Sequence, residues 1–154
     1  GGVPLAGVIG RAEIMDLPSL GNMSSTHSAN PMVCAAGLAV LEELQGRDLV
    51  LEAARKGQLF KAELEAIKAE FPEYVSMVHG HGMIHAIMFQ DPNTKAPDKV
   101  LPSKVSELCM QKGLLVVHTG RESIKLGPPL TISDDALLEG LGVLKDAICE
   151  LILR

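Results

Sequence analysis

Residues 31–70 hold two helical patterns of opposite character, and that contrast constrains the fold more than any other feature of the chain. Asn30-Pro31 is a helix-start signal: an Asn side chain caps free amides, and Pro at the first helical position gives up an N–H that had no partner. The helix predicted from Pro31 to about Leu44 is apolar almost all round over Met32 to Leu41 and rich in small residues, so it requires close neighbours on most sides. Gly46 ends or bends it. From Asp48 to about Glu70, Leu49, Ala53, Leu59, Leu64 and Ile67 recur at helical spacings. Lys56, Lys61, Glu63, Glu65 and Lys68 fall on the other side, where solvent is expected. This second helix is amphipathic and stops at Phe71-Pro72.

The flanks read more locally. Val3 to Ile9 is a short apolar run bounded by glycines, as for a buried strand, and Arg11 to Asp16 is a turn or short helix. Leu17 to Ala29 lacks periodicity and is a polar loop. Beyond Pro72, strands are predicted at Val75 to His79 and Met83 to Phe89, joined through Gly80-His81-Gly82, and residues 90–102 form a Pro-containing loop. A helix from about Ser103 to Lys112 ends at Gly113, followed by strands at Leu114 to His118 and Ser123 to Leu126. Gly127-Pro128-Pro129 forces the chain out of the sheet, and Ser133 caps a last helix to about Leu151 with Asp134 and Asp135 in its first turn. The sum is a strand, a loop and two helices, then an α+β unit.

Composition narrows the function. With 14 Lys and Arg against 19 Asp and Glu the chain carries a net charge of −5, and it has three Phe, one Tyr and no Trp. It is poorly supplied for stacking nucleobases and has no general attraction for phosphate backbones, so nucleic acid is not an expected partner. No stretch reaches the roughly 18 apolar residues of a membrane helix. Cys34, Cys109 and Cys149 are odd in number and far apart, which fits a reduced, cytoplasmic setting. The first residues, Gly-Gly-Val-Pro-Leu-Ala-Gly, lack an initiator Met and begin in the middle of apparent structure, so the chain is expected to be a piece of a longer protein.

Few residues offer chemistry by themselves. His79, His81 and His85 fall close together, and the first two share a face of an extended strand, as metal ligands would. Glycines interrupt the run and no Cys or acidic ligand is near in sequence, so these histidines are read as strand and turn residues and no metal site is assigned. Cys34 and Cys109 lie in helices, with no fixed cation evident beside them, and are expected in the core. There is no nucleophile elbow, dinucleotide fingerprint or Walker sequence. Ser24-Ser25-Thr26-His27-Ser28-Ala29-Asn30-Pro31 gathers hydroxyls and amides at a helix N-terminus. That suits an anion or phosphate, and it equally suits a loop of caps and turn formers.

A set of separated motifs weighs in favour of the phosphate. Gly1 to Gly7, then Thr26-His27-Ser28-Ala29-Asn30-Pro31 with Cys34-Ala35-Ala36, then Val78-His79-Gly80-His81-Gly82-Met83, then Ile124-Lys125-Leu126-Gly127-Pro128-Pro129-Leu130-Thr131 occur in this order. They resemble, in turn, the segment after the cofactor-binding lysine, the Thr-x-x-Gly-Asn-Pro helix start, the Val-Arg-Gly-x-Gly-Leu strand entry and the Ile-Arg-x-x-Pro-Pro-Leu stretch of the class III pyridoxal-phosphate-dependent aminotransferases. These are enzymes of the 4-aminobutyrate, ornithine and omega-amino acid type. The resemblance covers essentially the whole chain.

It implies a fold class of α+β / α/β, the C-terminal part of a fold-type I transferase. Residues 1–46 would end the large cofactor domain, 47–73 would form a linking helix and 74–154 the small domain. It implies pyridoxal 5'-phosphate as cofactor, an amino donor and a 2-oxo acid as substrates, and a homodimer or higher oligomer. Thr26 matches the threonine that binds the cofactor phosphate across the dimer. Lys125 stands where many members carry an arginine for the substrate carboxylate. Lysine offers a point charge in place of a planar fork, so recognition is weakened or moved to Arg121, or Lys125 is simply a solvated strand residue. His79 replaces the family arginine and Ala29 the glycine. The cofactor-bearing lysine would precede Gly1, so the chain alone is expected to be catalytically incomplete, and Lys56, Lys61 and Lys68 are not substitutes. The alternative is a non-catalytic or split-gene association module. With the sheet that Met32 to Leu41 would cover missing, the chain is also expected to expose apolar surface and self-associate.

Overall fold

The computed structural model describes residues 2–19, 21–22 and 26–153. Ser24 and Ser25, two of the hydroxyls expected near a phosphate, lie outside them. The chain forms two compact units divided between Asp48 and Leu49.

The first unit holds a four-residue helix α1 (Ala12–Met15) and the long helix α2 (Pro31–Gly46). Asn30 caps α2 as its sequence predicts: its Oδ1 accepts from the Val33 N–H at 3.1 Å, with Pro31 in the first turn. The apolar run before α1 is a correction. Val3 to Ile9 forms no strand, and Val3, Leu5, Val8 and Ile9 are exposed. A lone extended run has no ladder to join when the other described residues of its unit are helix and loop. Along α2 only Val33 is buried, while Met32, Leu38, Val40 and Leu41 are each more than half exposed. The neighbours that such a helix requires are therefore not supplied by the described residues of its own unit.

The second unit is one sheet covered by three helices. α3 (Leu49–Glu70) leads into the antiparallel hairpin of β1 (Val75–His81) and β2 (Ile84–Phe89). α4 (Leu101–Gln111), the short β3 (Val117–His118), β4 (Ser123–Leu126) and α5 (Asp134–Ile152) complete it. The strand order is β1-β2-β4-β3, antiparallel throughout. Of the strand expected at Leu114 to His118 only the last two residues pair.

Strand parity separates the two sheet faces. His85, Ile87 and Phe89 of β2 and Ile124 and Leu126 of β4 are buried in one core with Phe60, Leu64 and Ile67 of α3, Val105 and Cys109 of α4, and Leu141, Leu144 and Ile148 of α5. The helix expected as a link thus contributes to this core. On the other face, Met77, His79 and His81 of β1, Ile84 of β2, Lys125 of β4 and Val117 of β3 are exposed. The registers align His79, Ala86, Lys125 and Val117 as one row across this open face.

Lys56 corrects the solvated-face expectation. It is only 7% exposed, and its Nζ donates to the carbonyls of Leu130 at 3.2 Å and Ile132 at 2.6 Å. The buried residues of α3 are Leu49, Lys56, Gly57, Phe60, Leu64 and Ile67, so Lys56 lies on the apolar stripe itself.

Candidate functional site

The loop ahead of α2 places Thr26 and His27 at the surface, and Asn30 organises the junction between loop and helix. Its Nδ2 donates to the His27 carbonyl at 3.2 Å while its Oδ1 and main-chain oxygen take the Val33 and Cys34 N–H groups. Two of the amides at the start of α2 are thereby occupied, and Pro31 has none. An anion in this loop would draw on the exposed Thr26 hydroxyl and the loop backbone more than on the helix terminus. Ala29 has φ = 55°, the left-handed conformation that glycine adopts freely. Cys34 is not a core residue as expected: it is exposed, and its thiol donates to the Ala29 carbonyl at 3.4 Å. Among the described residues of its unit, nothing buries this thiol on the first turn of an open helix.

In the second unit β4 carries Lys125 between buried Ile124 and Leu126, with its own side chain exposed. Beside it runs an apolar groove of about 330 Å³. It is lined by Leu114 to Val117, by Gly127 to Pro129 with Ile132, by Leu137, Leu141 and Leu144 of α5, and by Phe60. Lys125 is the one charged residue lining it among the described residues. The lining is apolar apart from this one lysine, whose side chain stands exposed on the open face, and a carboxylate on a short hydrocarbon chain carries a group suited to each. Arg121 does not line the groove: it lies exposed in the β3–β4 turn, where its carbonyl meets His118 Nε2 at 3.1 Å.

The histidines separate. His79 and His81 are on the open face, whereas His85 is buried, with its Nδ1 lacking a hydrogen-bond partner among the described residues. Burial pushes the His85 imidazole below the usual histidine range, and the positive charges of Lys61, His81 and His79 push the same way. No group of three or more metal-ligating side chains comes together among the described residues.

Residues 1–148 match the sequence pattern of the aminotransferase class-III family, and the chain belongs to that family. It is 35% identical over 147 residues to a probable 4-aminobutyrate aminotransferase of Bacillus subtilis, covering 94% of this chain and 34% of that protein. To a leucine/methionine racemase of Thermococcus litoralis it is 38% identical over 152 residues, 97% of this chain and 34% of that one. Its structure is similar to that of acetylornithine aminotransferase from Elizabethkingia anophelis, with a TM-score of 0.77, 31% identity, and 90% of this chain and 33% of the other covered. The chain thus spans about a third of the length of these relatives. The fold is that of a part of a fold-type I enzyme, and the family is one of pyridoxal-phosphate-dependent enzymes.

Proposed function

We propose that this chain is the C-terminal portion of a class III aminotransferase that moves an amino group from an amino donor to a 2-oxo acid, and that it is catalytically incomplete alone. The observation that carries the reading is a family match whose range takes in both the Thr26 loop and the strand of Lys125. Pyridoxal phosphate, when bound, supplies an electron sink for charge developing at the substrate carbon. Thr26 would hold its phosphate with an exposed hydroxyl. The resemblance that gives Thr26 this role places it across a dimer, so the reading takes the site to be completed by other parts of a dimer or higher oligomer. Lys125 would bind the substrate carboxylate at the edge of the apolar groove, which orients the amino group away from that end. Arg121, exposed and outside the groove, is the less favoured of the two cations. A cytoplasmic location belongs to the same reading, supported by the scattered thiols. Among the described residues no helix is long and apolar enough to cross a membrane.

Absorbance titration of the chain with pyridoxal phosphate tests this, repeated on Thr26→Ala and followed by borohydride reduction and mass mapping of labelled lysines. Binding weakened by Thr26→Ala without one specific labelled lysine is the expected result. A single stoichiometric label on an internal lysine would make the chain an enzyme in its own right, and no binding would remove the cofactor role of Thr26. The mass of the natural protein distinguishes a part of a longer enzyme from an association module of 16.4 kDa. The racemase relative favours a second reading, inversion at a substrate carbon in place of amino transfer. Mixing the longer protein with a single L-amino acid and no 2-oxo acid separates them, because only inversion proceeds to a racemic mixture.

A further inference from the structure

Three consecutive residues of α3 engage three different parts of the second unit. Arg55 makes a two-pronged contact with Asp134 at the start of α5, Nη1 to Oδ2 at 2.9 Å and Nη2 to Oδ1 at 2.8 Å. Gly57 meets the β1–β2 turn so closely that a Cβ there would come within 2.6 Å of the Gly82 Cα. Between them, buried Lys56 donates to the Leu130 and Ile132 carbonyls, with Glu52 Oε2 at 3.8 Å.

The segment that Lys56 holds is the direct continuation of β4. No strand or helix ladder runs through residues 127–132, and Pro128 and Pro129 have no N–H to give to one. Its internal tie is a single turn bond, from the Ile132 N–H to the Pro129 carbonyl at 3.0 Å. The same segment walls the groove beside Lys125. An ammonium taken out of water must find partners, and here both are main-chain carbonyls of this otherwise unladdered stretch.

We propose that Lys56 is a positioning residue for Lys125. By gripping the Leu130 and Ile132 carbonyls it fixes the outgoing end of β4, and with it the point from which Lys125 meets a carboxylate. The proposal rests on the carboxylate-binding reading of Lys125 given above. Lys56 is buried beneath the segment and acts through it.

The test compares wild type with Lys56→Met, which keeps the stem and removes the charge, and with Lys56→Arg, which keeps donors. Amide exchange at Ile132 is read against Ile87 in the centre of β2 as a reference for global opening. Lys56→Met should speed exchange at Ile132 about tenfold or more with little change at Ile87, and Lys56→Arg should restore most of it. A titration with glutarate, followed at the Lys125 resonances, should weaken about tenfold in Lys56→Met and recover in Lys56→Arg. Unchanged exchange at Ile132 overturns the proposal, and so does faster exchange with unchanged glutarate affinity. If wild type itself gives no response at Lys125, the carboxylate reading falls and takes this proposal with it, an outcome distinct from wild type and variants binding alike. Should Lys56→Met not fold, Lys56→Gln, with a donor for one carbonyl, takes its place in both measurements.

Discussion

The His85 imidazole lies 4.7 Å from the Phe60 ring, centroid to centroid, with the two planes tilted by 60°. This contact joins β2 to α3 and places a titratable ring inside the apolar core. Because the folded state holds His85 below the usual histidine range, the native protein takes up its proton at lower pH than the unfolded chain does. The contribution to stability is therefore full above the ordinary histidine pKa of 6.5 and is lost as pH falls from there toward the folded value. Urea unfolding of wild type and His85→Leu, compared at about pH 8 and about pH 5, should show a stability loss on acidification that is smaller in the variant. Equal losses would show that His85 is not the group responsible.

Two glycines on helices should respond to alanine with opposite signs. Gly57→Ala drives a methyl into the Gly82 backbone and should destabilise the second unit by about 1–3 kcal/mol. A methyl added at Gly142 on α5 would meet nothing within 4 Å, so Gly142→Ala should gain up to about 1 kcal/mol from helix propensity. Denaturant midpoints for the two variants check the pair.

Ala29 carries a conformational cost that glycine would not. At φ = 55° the strain for an L-residue is roughly 1–2 kcal/mol, offset in part by the greater freedom of glycine in the unfolded chain. Ala29→Gly should therefore stabilise the first unit by about 0.5–1 kcal/mol, read as slower amide exchange at Val33 and Cys34. A loss of stability would mean that the loop does not hold this conformation in solution.

The thiols should react in a fixed order. Cys34 is exposed, whereas Cys109 is fully buried with its pKa pushed up to about 11 by burial. Brief alkylation at neutral pH followed by peptide mass mapping should label Cys34 first and leave Cys109 intact until denaturant is added. Early labelling of Cys109 would show that the core of the second unit opens far more readily than its packing suggests.

The features legible in the sequence are local ones. Asn30 and Ser133 announce their helices because a cap needs only its own next three residues, and both accept the N–H expected, Val33 and Ala136. The β1–β2 hairpin is legible for the same reason, but its turn is Gly82-Met83: Gly80 and His81, expected in the connection, pair with His85 and Ile84 as the end of β1. Charge alone assigns Lys56 to water, although its spacings to Leu49, Phe60 and Leu64 place it on the buried stripe. The Arg55–Asp134 pair joins positions 79 apart, and no local pattern points to it. Val3 to Ile9 has strand composition, but composition does not supply the partner a strand requires. At the candidate site, Thr26 and Lys125 are proposed from motif resemblance, whereas the bonds of Lys56 to the Leu130 and Ile132 carbonyls are visible only in the fold.

The order β1-β2-β4-β3 also joins a short chain closure to a long one. β1 and β2 can close on each other through a tight turn, a loop that costs little entropy. β4 can dock on β2 only after the chain has traversed α4 and β3, a longer closure that contributes to a slower step. The row of Lys125 with Ala86 and His79 thus depends on the longer of the two closures. A nascent chain therefore presents both strands of the hairpin before the strand that carries Lys125 has been made.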